Sequence, residues 1–87
     1  MKNGLILYVV GSAPLPEELN LTETGAALGC PADRVELVSR DVGFFSVEDA
    51  WHFLATRGGC GRIRLVVAEV QQDGRLRPLS PEVRLSG

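Results

Sequence analysis

The residues best suited to act as nucleophiles or metal ligands are Cys30, Cys60 and the single histidine, His52. Cys60 sits in Gly58-Gly59-Cys60-Gly61, where little side-chain bulk would cover it. An exposed thiol there becomes reactive if a cation such as Arg57 or Arg62 lowers its pKa. Cys30 precedes one predicted strand and Cys60 another, so the two thiols come close if those strands are neighbours. Neither forms a C-x-x-C, which removes the zinc half-site and the thioredoxin-type motif. His52 lies eight residues before Cys60, about 12 Å along a helix. One histidine and two cysteines do not close a tetrahedral metal site within one chain. No metal and no cofactor are expected. Separate, inert thiols and a partly buried or surface histidine account for these residues equally well.

A second candidate is polar and backbone-based. Gly11, Ser12, Arg40, Asp41 and Gly43 follow predicted strands, and Ser46 opens a predicted helix. In a parallel α/β sheet such residues collect outside the carboxyl ends of the strands, where ligands bind. Small residues admit a ligand to the backbone, and a helix start offers free N–H groups to an anion. Neither G-x-G-x-x-G nor G-x-x-x-x-G-K-[ST] is present. A turn at Gly11-Ser12 and a surface pair at Arg40-Asp41 explain the same residues. The serines lack a nucleophile elbow. Glu48-Asp49 is accounted for by a helix dipole. No catalytic residues are assigned; whether the chain is an enzyme stays open, with the thin polar inventory leaning against it.

The charges divide unevenly. Residues 1–50 carry three basic against eight acidic residues, and residues 51–87 carry six against three. That polarity fits head-to-tail association or plain solvated surface. All but one of the basic residues are arginine. The net charge of −2 argues against a nucleic-acid partner. With the Asp73-Gly74 turn read as two residues, Gln72 pairs with Arg75, and Arg62 and Arg64 face Leu85 and Val83. Arg62 and Arg75 then lie roughly 30 Å apart along the ribbon. No aromatic residue stands there to stack a base. Residues 22–31 resemble the middle of a helix-turn-helix, but the recognition helix is missing because residues 35–39 read as strand.

Apolar residues in loops form a third candidate. Phe44, Val42 and Leu15, the last within Pro14-Leu15-Pro16, are expected to make an exposed patch for a protein partner or another copy. Capping of the core by Phe44 is the alternative. A C-terminal edge strand offers a further docking surface, which Pro78 and Pro81 oppose.

These residues must be positioned by local structure. The run 5–10 is continuous and rich in branched residues, as in a strand buried on both faces. Prolines at 14 and 16 exclude a helix interior. Asn20 caps a helix over 21–28, with Glu23 completing a capping box, Leu21, Gly25 and Leu28 on one face, and Gly29 and Pro31 ending it. An extra turn at 16–19 is possible. Residues 34–40 form a second strand. Ser46 caps a second helix, with Phe45 and Ala50 as a staple, Val47, Ala50, Trp51 and Leu54 on one face, and Gly58 as its stop. A third strand covers 62–71. Asp73-Gly74 turns into a last strand over 75–85, confined to an edge by its prolines.

The order is β-α-β-α-β-β. This predicts one α/β domain over 1–87, with a mixed sheet of about four strands, two helices and a C-terminal antiparallel edge hairpin. The helices share one face if the strands run in order, and take opposite faces if the order reverses after the first strand. Hydrophobic residues make up 45% and charged residues 23%, which fits a folded domain. No apolar run approaches the roughly 20 residues of a membrane span. The segment 5–13 resembles a signal peptide superficially, but two prolines and Glu17-Glu18 follow at once, so a buried strand is the expectation. A cytoplasmic location is therefore expected. The functional expectation is a small non-enzymatic interaction or accessory module, with self-association as one form of it. A small-molecule or anion-binding domain and a thiol or metal protein are the alternatives.

Overall fold

The computed structural model describes residues 2–39 and 46–85. The elements are β1 (Lys2–Val10), α1 (Leu21–Ala27), β2 (Arg34–Val38), α2 (Val47–Thr56), β3 (Cys60–Val70), β4 (Leu76–Pro78) and β5 (Val83–Leu85). They build one mixed sheet in the order β2-β1-β3-β4, with β5 also paired to β3. The β1 strand is parallel to both β2 and β3, and β4 and β5 run antiparallel to β3.

The strand order settles the placement of the helices. β2 and β3 lie on opposite sides of β1, so two right-handed crossovers carry α1 and α2 to opposite faces. Side chains of a strand alternate between faces. Leu5, Leu7 and Val9 therefore join Val35, Leu37, Val66, Ala68 and Val70 under Leu21 and Leu28. Ile6 joins Val38, Ala50, Leu54 and Ile63 on the other face, beside Val47 and Trp51. The central run Leu5-Ile6-Leu7 is wholly buried. Each of those side chains contributes roughly 1.5–3 kcal/mol of burial free energy.

The helices start where their caps dictate. The Asn20 side chain accepts from the Glu23 amide at 3.0 Å, and Ser46 accepts from the Asp49 amide at 3.1 Å. Residues 16–19 hold a bend at 17 and 18 and no helical turn. Gly25 is buried where α1 crosses the sheet; a Cβ there would stand 3.0 Å from Leu5 Cδ2 and 3.1 Å from the Cys30 carbonyl oxygen. The absent side chain is what lets the helix lie this close. The staple partner Phe45 falls outside the described residues.

The hairpin differs from the expected register. The Gln71 amide donates to the Arg75 carbonyl at 2.7 Å, and Gly74 N–H donates back to Gln71 at 2.9 Å. The loop thus holds three residues, with Gly74 in the left-handed region at φ +84°. Glycine at the third loop position favours a type I turn closed by a bulge over the two-residue turn. Val70 consequently faces Leu76, where the two-residue turn would set it opposite Arg77. A second departure follows. Pro78 and Pro81 flank a break in the ladder: the Leu79 amide still donates to the Val67 carbonyl at 2.8 Å, and residues 80–82 leave the pairing before β5 resumes. Arg64 then faces Arg84, and Ile63 faces Leu85. The expected single strand is therefore two short ones.

Candidate functional site

The carboxyl edge of the sheet is where β1 and β3 end side by side, with Val10 beside Glu69. Because the strand order reverses at β1, this is the switch point at which open α/β sheets bind ligands. Gly11 and Ser12 are exposed there, as the candidate requires. Gly11 has φ +109°, and a Cβ on it would lie 3.4 Å from Glu69 Cγ. Glu69 brings a carboxylate to this corner, paired with Arg77 at 3.3 Å and accepting from Gln71 Nε2 at 3.0 Å. A negative group so close to Gly11 works against an anion at that position. Arg40, Asp41 and Gly43, the other expected contacts, lie outside the described residues.

Phe44 and Val42 of the apolar candidate also lie outside the described residues. Leu15 departs from the expectation of an exposed loop residue. It packs against the core cluster beneath α1. The Pro14-Leu15-Pro16 segment folds back onto the hairpin, so a Cβ on Gly74 would touch Pro16 Cγ at 3.3 Å. Among the described residues the exposed large apolar side chains are Tyr8 (37%), Leu79 (46%) and Val83 (53%). Tyr8 lies in register with the half-buried Val67, and Val83 with Leu65. Helix α2 packs over Ile6 and Ile63, and Tyr8 lies beyond it towards the carboxyl edge. The alternation in β1 gave no reason to single out Tyr8, because a continuous apolar run reads as buried throughout.

Cys30 and Cys60 do not come together. β1 separates the strands they precede, and each thiol sits in a different core cluster on opposite faces of the sheet. Cys60 is buried as the first residue of β3, which corrects the expectation of an exposed loop thiol. It lies against Gly4, whose Cβ would meet Cys60 Sγ at 3.0 Å. Burial pushes both thiols up in pKa; the Glu82 carboxylate adds to this at Cys30. Arg34 and Lys2 act in the lowering direction on Cys60, in place of Arg57 and Arg62, and burial outweighs them. Both cysteines are free.

His52 is exposed on α2, edge-on to Trp51 and 3.9 Å from Glu48. Among the described residues no group of three or more His, Cys, Asp or Glu side chains could hold a metal ion. A shallow groove of about 410 Å³ opens at the amino edge between Trp51, the start of β3 and Leu85. Its described lining holds no carboxylate or imidazole to move a proton, and Arg62 and Arg84 share its walls with Trp51, Ile63 and Leu85.

The edges of the sheet contrast with one another. The β4–β5 side carries Pro78 and Pro81 and is broken at residues 80–82. The β2 side runs Arg34-Val35-Glu36-Leu37-Val38, with no proline and no break in its pairing to β1. Val35 and Leu37 are buried towards α1 and Val38 towards α2, which leaves Arg34 and Glu36 as the polar side chains of this edge. The Arg34 guanidinium stands 5.8 Å from the centre of the Phe53 ring. Glu36 is half-buried, and burial raises its carboxyl pKa despite nearby Arg34. Among the described residues no helix is long and apolar enough to cross a membrane. Comparison with protein-family models, with curated proteins and with solved structures finds no match to the chain.

Proposed function

We propose that this chain is a small non-enzymatic interaction module that works by strand addition at the β2 edge. The contrast between the two edges carries the reading. Proline and bulges are the usual devices that stop a sheet edge from pairing with another chain. Prolines and a break in the pairing interrupt the β4–β5 side and are missing from β2. An edge free of proline and bulges accepts an extended partner segment through main-chain hydrogen bonds, with alternate side chains setting specificity. The test is an amide titration with a panel of short extended peptides of alternating apolar and polar residues. Shifts confined to Arg34–Val38 are expected. Shifts along β4–β5, or none with any peptide, would defeat the reading. Two separate free thiols fit a reducing compartment, and we place the module in the cytoplasm on that ground.

A second reading, a ligand-binding domain at the carboxyl edge, is favoured by the reversal of strand order beside Gly11 and Ser12. A titration with phosphate and nucleotides that shifts only those amides would support it. The Glu69 carboxylate weighs against it.

A further inference from the structure

The β2 edge carries a charge pattern that is complementary to itself. Arg34 and Glu36 are two residues apart and project from the same side of the strand. Two copies of β2 can pair antiparallel about a two-fold axis only if the axis passes through a residue, so that outward-facing backbone groups meet outward-facing groups. With the axis on Val35, Arg34 of each copy stands opposite Glu36 of the other. Four charges of alternating sign then form a square across the junction. Moving the axis to Glu36 sets the two carboxylates against each other, and moving it to Arg34 opposes the two guanidiniums. Opposite charges across a strand pair stabilise it and like charges destabilise it, so the pattern selects one register.

Resting on the strand-addition reading, we infer that the partner at this edge is a second copy of the same chain, joined about Val35 by reciprocal Arg34–Glu36 pairs. The state of Glu36 supports this occupant. It is half-buried, yet it makes no hydrogen bond or ion pair within 4.0 Å with another described residue. Burial also raises its carboxyl pKa. The partner's Arg34 would add a directly paired counter-charge to the weaker influence of Glu36's own-chain Arg34. Arg34, held over Phe53, lies at the amino end of the same edge, where that pairing needs it.

Sedimentation velocity of the full chain, from micromolar to millimolar concentration, tests the pairing. The wild type should form dimers. Arg34→Glu and Glu36→Arg should each weaken dimerisation by about tenfold or more, since each leaves only like charges across the junction. An equimolar mixture of the two variants should restore the dimer, as should the double variant R34E/E36R. Circular dichroism confirms that each variant is folded. A wild type that stays monomeric overturns the self-pairing, while the peptide titration still reports on the edge. A dimer indifferent to both charge reversals, or a folded mixture that fails to recover, also overturns it.

Discussion

Gly25 of α1 lies directly against Leu5 of β1, so that a methyl group added at the glycine would stand 3.0 Å from Leu5 Cδ2. The same methyl would press on the Cys30 carbonyl oxygen at 3.1 Å, which belongs to the backbone and yields little. Gly25→Ala should therefore destabilise the fold by about 1–3 kcal/mol through overpacking. Alanine's better helix propensity, worth about 1 kcal/mol, offsets part of the strain. Urea unfolding monitored by circular dichroism measures the balance. A variant as stable as wild type would show that α1 can lift from the sheet at no cost.

The thiols make a second prediction. Both are buried, and burial raises both pKa values. The thiolate is the reactive form, so each should react with a thiol-specific reagent at neutral pH far more slowly than free cysteine. Denaturant should abolish the difference. A mild oxidant should leave the monomer's intact mass unchanged, because the sheet lies between Cys30 and Cys60. Rapid labelling of Cys60 in the folded chain would contradict its burial.

Glu36 makes two predictions of opposite sign. Its folded pKa lies above the ordinary carboxylate value because burial disfavours the charge, so the fold favours the neutral carboxyl. That contribution is fully present below the unfolded pKa and is lost as pH rises through the folded one. At neutral pH the charge is a net cost to the isolated chain. Glu36→Gln should therefore raise the melting temperature of dilute protein at pH 7, and the gain should vanish below about pH 4.5. The same substitution should weaken self-association, because it removes the acidic half of the cross-strand pair. Thermal melts at low concentration and sedimentation at high concentration read the two effects separately.

Local chemistry made the elements legible. Asn20 and Ser46 announce helix starts by offering a side-chain oxygen to a free amide, and both do so in the structure. The run at Leu5 was readable as a strand buried on both faces because no polar residue interrupts it. Strand order was not readable, since right-handed crossovers permit either arrangement and the decision lies in packing between distant residues. The hairpin register differs from the expected one by a single residue, because Asp73-Gly74 fits both a two-residue turn and the end of a three-residue one. The break at 80–82 is only half visible in the sequence. Two prolines mark an edge, but they do not say how many residues will leave the ladder. The candidate residues fared by their surroundings. Leu15 looked exposed because its prolines signal a loop, yet that loop turns inward onto the core. The β2 edge carries no mark in the sequence because its edge position follows from the strand order alone.

The central place of β1 bears on how the chain is made. Leu5 pairs on one side with Val35 and on the other with Arg64. Both partners follow it in sequence, the second across most of the chain. During synthesis the most apolar strand therefore emerges first and finds its last neighbour only after β3 has been translated. Loop closure over that separation costs entropy before the ladder can compensate. The residues that form the middle of the finished sheet are thus the longest exposed on the way to it. Any factor that slows elongation between β2 and β3 prolongs that exposure and raises the risk of aggregation.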